Sequence, residues 1–179
     1  MKFQTVIDFW FDEIDPASWW QKDAAFDAGI RQRFLTTLQS AASCELSAWR
    51  DQPLGRLAEI IVLDQFSRNI YRDDARAFAC DAQALVLAQE AVRAEADREV
   101  YPAMRAFVYM PYMHSESALV HEQAVRLFDQ PGMESNLDFE YRHKAIIDRF
   151  GRYPHRNQLL GRVSTAEEQA FLQQPGSAF

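Results

Sequence analysis

The chain has 179 residues, of which 48% are hydrophobic and 13% aromatic, and its formal net charge is −7. A chain of this length and composition can bury a full core, which excludes an intrinsically disordered protein. The acidic balance excludes a general nucleic-acid-binding surface, which needs clustered positive charge, and no apolar stretch is long enough to span a membrane.

The two cysteines, Cys44 and Cys80, lie far apart, without the CxxC or Cys/His spacing of a zinc site. Phosphate-loop, dinucleotide-binding and GxSxG motifs are missing as well. We therefore expect no disulfide, metal or cofactor. The N-terminal segment MKFQTVIDFWF is broken by Asp8 and does not have the pattern of a signal peptide. These features predict a cytoplasmic protein.

The N-terminal half of the chain is predicted to be helical. Residues 22–42 place four apolar side chains on one stripe at helical spacing: Phe26, Ile30, Phe34 and Leu38. Pro53 is predicted to open a second helix, which is apolar almost all round and is therefore expected to be the most buried. An alanine-rich helix is predicted to begin at Asp81.

The C-terminal half gives helical boundary signals as well. One helix is predicted to end near Met110, which precedes a proline, and the next to begin with Ser115 as its N-cap. A further helix is predicted to end at Gly151 in a left-handed cap. The last is predicted to open with a capping box formed by Ser164 and Glu167.

Strand alternation is missing throughout the sequence. We predict a single all-α domain spanning residues 1–179, with about seven or eight helices packed as antiparallel hairpins. The succession of helix pairs suggests a solenoid, although no repeat has a fixed period.

Positive charge is concentrated in residues 141–162, which carry a formal +5 and leave −12 on the rest of the chain. Guanidinium groups bind carboxylates and phosphates through paired hydrogen bonds. This pattern predicts an anion site with His155 as an acid–base residue and four ligand-binding residues: Arg149, Arg152, Arg156 and Asn157. The alternative is that these arginines are surface residues paired with the many acidic side chains.

The segment LDQFSRNIYR, residues 63–72, contains a carboxylate on the buried face of an apolar helix. Asp64 must be paired there, and Arg68 is its i+4 neighbour, with Arg72 one turn further. In the functional interpretation Asp64 orients arginines that bind an anionic ligand. In the alternative, Asp64 forms a structural ion pair that fixes how helices dock.

Histidines provide the remaining candidates for acid–base chemistry. His114 and Glu116, in the segment MPYMHSE, lie between two helices and are either an acid–base pair or capping residues. His143 shares an apolar stripe with Ile146, Ile147 and Phe150, so it is either catalytic or a hydrogen-bonded core residue. His121 is expected to be an exposed or half-buried structural residue.

The chain resembles the bacterial domain-of-unknown-function family 924. The matching stretches include WWQKDAAFDAGIRQRF, LDQFSRNIYR, MPYMHSE and RHKAIIDRFGRYPHRNQLLGRVST, and together they cover essentially the whole chain. The resemblance implies an all-helical, tetratricopeptide-like arrangement of hairpins and implies little about function. The motif residues that it transfers are Asp64, Gln65, Arg68, Asn69, Arg72, His114, Ser115, Glu116, His143, Arg149, Gly151, Arg152, Pro154, His155, Arg156 and Asn157.

Three hypotheses for function follow. In the first, Arg68, Arg72 and the arginines of residues 141–162 bind a small anionic molecule, with or without acid–base catalysis. In the second, a helical-hairpin interaction module binds an acidic peptide or protein partner. In the third, Asp64, Glu116 and Asp148 neutralise the arginines and leave no cavity. The sequence does not decide whether the protein is an enzyme, and it does not give the oligomeric state.

Overall fold

The computed structural model describes residues 1–177, which form helices and connecting loops without a β-strand. Nine α-helices follow one another in this range: α1 (Phe3–Asp8), α2 (Ala24–Ala42), α3 (Pro53–Ile61), α4 (Ser67–Ile70), α5 (Asp81–Arg93), α6 (Pro102–Met113), α7 (Ala118–Phe128), α8 (Glu134–Phe150) and α9 (Ala166–Leu172). Because α3 and α4 belong to one uninterrupted helical run, the predicted all-α fold of about eight helices is confirmed. The tetratricopeptide-like arrangement of hairpins stays a prediction. No helix within the described range combines the length and apolarity needed to cross a bilayer.

Two π-helical segments interrupt the regular α-helical geometry. Phe9–Glu13 continues α1, and Val62–Phe66 joins α3 to α4. The two segments contact each other, since the ring centroids of Trp10 and Phe66 are 5.5 Å apart. All five residues of Val62–Phe66 are buried, since the segment packs against both α2 and α5.

The described residues cluster into two compact units, and the prediction of a single domain stays a prediction. The first unit comprises Met1–Arg72 and Arg76–Pro111. Here α3 packs against α1, α5 and a 3₁₀ turn at Ser47–Asp51. The burial of α3 confirms its predicted place in the core.

The local signals of the first unit predicted its helices well. Of the predicted stripe on α2, Ile30, Phe34 and Leu38 are buried and Phe26 is half-buried. Helix α3 begins at Pro53 and α5 begins at Asp81, as predicted.

The second unit comprises Asp73–Ala75 and the chain from Tyr112 onward. In this unit α7 packs against α8. A core cluster of Ile146, Ile147 and Tyr153 lies beneath the end of α8. Gly151 ends α8 in the left-handed region with a φ of 66°, which confirms the predicted cap. Residues with a Cβ atom are strained in this conformation, and glycine is not.

Three predicted boundaries of this half are wrong by a few residues. Helix α6 continues through Pro111 to Met113, so the proline does not end the helix. Helix α7 begins at Ala118 after Ser117, while the Ser115 hydroxyl accepts the Ser117 N–H at 3.2 Å.

The capping box lies one residue later than predicted, at Thr165 and Glu168. Ser164 and Thr165 are both good N-caps, and so are Ser115 and Ser117. Local sequence therefore does not decide between the members of each pair.

Candidate functional site

The arginines of residues 63–72 lie in the first unit and are held by carboxylates of that unit. Asp64 is buried, and its Oδ1 lies 3.2 Å from Nη1 of Arg68. The Arg68 guanidinium also donates to the Asp64 carbonyl at 2.8 Å and to Oδ2 of Asp81 at 3.0 Å. Arg68 therefore links the buried face of the α3–α4 run to the start of α5.

Arg72 makes a two-point ion pair with Asp27 of α2. Its Nη2 donates to Oδ1 at 2.8 Å, and its Nε donates to Oδ2. Asn69 donates to the same Oδ1 at 2.8 Å. Asn69 of α4 and Arg72, which lies just beyond its end, thus fasten this part of the chain to α2, because both satisfy one half-buried carboxylate.

Residues 112–116 and 141–162 lie in the second unit and meet around Tyr153. The Tyr153 backbone N–H donates to Oε1 of Glu116 at 2.8 Å, and its hydroxyl donates to the Met113 carbonyl at 2.5 Å. The side chain of Tyr153 is completely buried. The turn after α8 is therefore anchored to the end of α6 and to the loop before α7.

Three imidazole rings and one guanidinium surround Tyr153. The ring centroids of His155, His143 and His121 lie 5.6, 5.9 and 6.3 Å from that of Tyr153. The Arg156 guanidinium carbon lies 4.5 Å from the Tyr153 centroid, a cation–π contact. The buried Arg156 also donates to the His114 carbonyl at 3.0 Å, so it fixes the turn from inside.

His143 is buried on α8, as its apolar stripe predicts. Burial is the main reason that its pKa falls to about 3, and the neighbouring histidines lower it further against an opposing hydrogen bond to Phe139. The contact of Nδ1 with the Phe139 carbonyl is 2.7 Å. His143 is therefore neutral at physiological pH and suits a positioning role better than that of a general acid.

Glu116 is held in its ionised form. Burial raises its pKa, but hydrogen bonds from the Arg162 side chain and the Tyr153 N–H outweigh burial, and the net pKa is lowered. Arg162 Nη1 and Nη2 lie 2.6 and 2.9 Å from the two Glu116 carboxylate oxygens. Glu116 therefore connects the loop before α7 to the chain that follows the Pro154–Arg156 turn.

The other arginines of this region also have carboxylate partners. Arg149 Nη2 lies 2.8 Å from Oε1 of Glu167, and both side chains are largely exposed. Arg152 makes a two-point pair with the buried Glu168, at 2.7 and 2.9 Å. Asp148, which the third hypothesis expected to neutralise an arginine, pairs with Lys144 instead.

Sequence reasoning missed the most buried polar pair of this unit. His121 was expected to be exposed or half-buried, and this prediction is wrong because its side chain is completely inaccessible. Its Nδ1 lies 2.7 Å from Oε1 of Glu140, which is equally buried. The helical spacing of α7 could have indicated this burial, since His121 lies three residues before the buried Ala124 and seven before the buried Phe128, on the same face of the helix.

An open cleft of about 490 Å³ lies beside the Pro154–Arg156 turn. Its lining residues are Pro154, His155, Gln158, Arg162, Ser164, Gln169 and Leu172. Of the predicted site residues, His155 reaches this cleft, and Asn157 lies buried behind it, where its Nδ2 donates to the Ser164 hydroxyl at 3.0 Å. Arg162 was left out of the predicted site, although the charge run that ends at this residue indicated it.

Comparison with known proteins gives a family and a solved relative. The model of a family described as bacterial protein of unknown function (DUF924) matches residues 6–176. A protein of unknown function from Agrobacterium tumefaciens has a similar solved structure, with a TM-score of 0.91, 37% sequence identity and coverage of 96% of each chain. No curated protein matches the sequence significantly. The resemblance inferred from the motifs is therefore confirmed, and the chain belongs to the bacterial family of unknown function DUF924.

Proposed function

We propose that the protein binds a small phosphate- or carboxylate-bearing molecule in the cleft beside the Pro154–Arg156 turn. The observation that carries the proposal is that His155, Arg162 and Ser164, whose side chains carry an imidazole, a guanidinium and a hydroxyl group, all line that cleft. Each of these groups can donate a hydrogen bond to an anionic oxygen. The volume of about 490 Å³ suits a metabolite-sized ligand.

Rigid support behind the cleft favours a binding site over a passive surface depression. Tyr153, Arg156 and Asn157 are buried, and their hydrogen bonds to Met113, His114 and Ser164 hold the turn from behind. Donors that are held in place before the ligand arrives lose less conformational entropy on binding.

The proposal narrows the predicted set of anion-binding residues. Arg68, Arg72, Arg149 and Arg152 are paired with carboxylates and are not among the residues that line this cleft, so we assign them no ligand here. Arg162 shares its charge with Glu116. A bound anion must therefore also use His155 and the polar rim of the cleft.

Acid–base chemistry in this cleft would rest on His155, because an imidazole can both accept and donate a proton. Glu116 and His143 act as positioning residues in this proposal. The first holds Arg162 and the Tyr153 backbone, and the second packs against the Tyr153 ring.

Thermal unfolding with inorganic phosphate and with citrate, each at constant ionic strength against sodium chloride, tests the proposal. At a concentration one hundred times Kd, a ligand stabilises the fold by about 2.7 kcal/mol, which raises Tm by about 5 to 10 °C in a domain of this size. A rise no larger than that with sodium chloride contradicts the proposal.

Charge changes at Gln158, an exposed residue of the cleft, assign the binding to this site. We expect Gln158→Glu to weaken phosphate binding about fivefold and Gln158→Lys to strengthen it about fivefold, since one nearby charge contributes about 1 kcal/mol in water. Gln32→Glu, an exposed position on α2, is the matched control and should leave Kd unchanged. Equal effects of Gln158→Glu and Gln32→Glu would place the anion elsewhere.

The acidic-peptide hypothesis is tested in the same variants with hexaglutamate. Binding of hexaglutamate that follows the charge at residue 158, together with no response to phosphate or citrate, would replace the small-molecule proposal with a peptide-binding module.

A further inference from the structure

A second cleft, separate from the one above, lies along α8 near the end of the described chain. Its volume is about 400 Å³. Its lining residues are Arg142, Ala145, Ile146, Arg149, Phe150, Phe171, Pro175 and Gly176. No residue lines both clefts, so the two sites can be tested independently.

The floor of this second cleft is apolar and aromatic. The rings of Phe150 and Phe171 have centroids 5.1 Å apart, and both side chains are half-buried. They pack against the buried cluster of Ile146, Ile147 and Tyr153. Their inner faces therefore belong to the core, while part of each ring is open to the cleft. Covering that part with an apolar group removes it from water, which is favourable.

Two guanidinium groups flank this floor. Arg142 and Arg149 are seven residues apart on α8, so they lie on the same side of the helix, about 10 Å apart along its axis. The Arg149 guanidinium carbon lies 4.7 Å from the Phe150 ring centroid and 5.9 Å from that of Phe171. Positive charge is therefore placed directly beside the apolar floor.

The ion pairs of these two arginines leave them open to competition. Arg142 pairs with Asp138 and Arg149 with Glu167, and the two carboxylate side chains are 59% and 63% exposed. Exposed pairs of this kind contribute about 0 to 1 kcal/mol, so an added carboxylate can replace the internal one at little cost. Arg152 differs, because its partner Glu168 is buried.

We propose that this cleft binds a medium-chain fatty carboxylate, with the alkyl chain on Phe150 and Phe171 and the carboxylate at Arg149. Both parts of the ligand are needed. An apolar floor alone would accept any alkyl chain, and guanidinium groups alone would accept any small anion. The combination selects a molecule that carries a negative head group on an apolar tail.

Calorimetric titration with octanoate tests the proposal, with octylamine and acetate as the two matched probes. We expect octanoate to bind at least tenfold more tightly than either, since octylamine has the wrong charge and acetate has no tail. Octylamine binding as tightly as octanoate would reduce the cleft to an apolar patch, and equal binding of acetate would reduce it to an unspecific anion site. Either result overturns the proposal.

Opposite charge changes at one exposed ion pair locate the bound octanoate. We expect Arg149→Gln to weaken its binding at least threefold and Glu167→Gln to strengthen it by a similar factor, because the second variant removes the internal competitor. Arg126→Gln changes an exposed arginine of α7 that is not among the residues lining this cleft, and it should leave Kd unchanged. Circular dichroism checks that each variant is folded, and a shift of Kd in the same direction for Arg149→Gln and Glu167→Gln would contradict the assignment.

Discussion

The imidazole Nδ1 of His121 lies 2.7 Å from Oε1 of Glu140, and neither side chain is accessible to solvent. On the other side of the ring, Nε2 lies 2.8 Å from the Ser115 carbonyl oxygen, which can only accept a hydrogen bond. Nε2 must therefore carry a proton. One further proton is then shared between Nδ1 and the Glu140 carboxyl group, and this pair links α7 to α8.

The proton between these two residues is expected to reside on Glu140. Burial raises the pKa of Glu140, although the hydrogen bond and the charge of His121 act in the opposite direction. A glutamine can then replace the protonated acid, because its NH₂ group donates to Nδ1 in the same way. We expect Glu140→Gln to lower the free energy of unfolding by about 1 kcal/mol and Glu140→Leu, which leaves Nδ1 unsatisfied, by about 3 kcal/mol, as measured by urea denaturation.

Equal losses in the two variants would contradict this expectation, because they would show that the hydrogen bond to Nδ1 does not contribute measurably to stability. The comparison is informative because both replacements have nearly the same size. The cavity contribution is therefore similar in the two variants, and the difference between them reports the hydrogen bond.

The Tyr153 hydroxyl gives a second test of the same unit. Tyr153→Phe keeps the buried ring and removes the donor to the Met113 carbonyl, whose hydrogen bond is 2.5 Å long. We expect the free energy of unfolding to fall by about 1 to 3 kcal/mol, because a buried acceptor loses its partner. Tyr141→Phe, at an exposed position of α8, is the control and should change stability by less than about 0.5 kcal/mol. Equal effects would show that the Tyr153 hydroxyl has no special role.

The helical fold could be predicted because its signals are local. The stripe of α2, the proline that opens α3 and the left-handed cap at Gly151 each depend on residues within a few positions of one another. Two of the boundary predictions that failed lie where two nearby residues can both cap a helix, as Ser164 and Thr165 can. Local energies at such places are nearly equal, and tertiary packing decides between them.

The partners of the charged residues could not be predicted, because they lie far away in the sequence. Arg162 pairs with Glu116, which is 46 positions away, and Arg152 pairs with Glu168 of α9. Within residues 141–162 alone, the positive charges outnumber the negative ones. In the folded unit, carboxylates from outside the segment neutralise much of it.

Two glycines within helices should respond in opposite ways to alanine. A Cβ atom on Gly55 of α3 would lie 1.9 Å from the Trp49 carbonyl oxygen, whereas a Cβ on Gly29 of α2 meets no described atom within 4 Å. Alanine is the better helix former, so we expect Gly29→Ala to raise the free energy of unfolding by about 0.5 to 1 kcal/mol. Gly55→Ala must instead move α3 away from the Ser47–Asp51 turn, and we expect a loss of about 1 to 3 kcal/mol. Urea denaturation checks both values, and a stabilising Gly55→Ala would show that this contact is not close in solution.

Acid should weaken the link between Arg152 and Glu168. Hydrogen bonds from Arg152 are the main reason that the pKa of Glu168 falls from 4.5 to about 2. A carboxyl group with a lowered pKa stabilises the fold above its ordinary pKa, and this contribution is lost as the pH falls towards 2. We therefore expect Glu168→Gln to lower the free energy of unfolding by about 2 kcal/mol at pH 7, with more than half of the difference from the wild type gone by pH 3.

Glu167→Gln provides the control for this pH dependence, because it removes an exposed carboxylate from the same helix. Its effect should stay within about 1 kcal/mol from pH 7 to pH 3, since the pair with Arg149 is screened by solvent. Urea denaturation of the wild type and both variants at several pH values gives the comparison. A difference for Glu168→Gln that does not change with pH would mean that Glu168 stabilises the turn through its shape and capping alone. A difference that shrinks with acid identifies the ion pair with Arg152 as the contact that joins α9 to the end of α8.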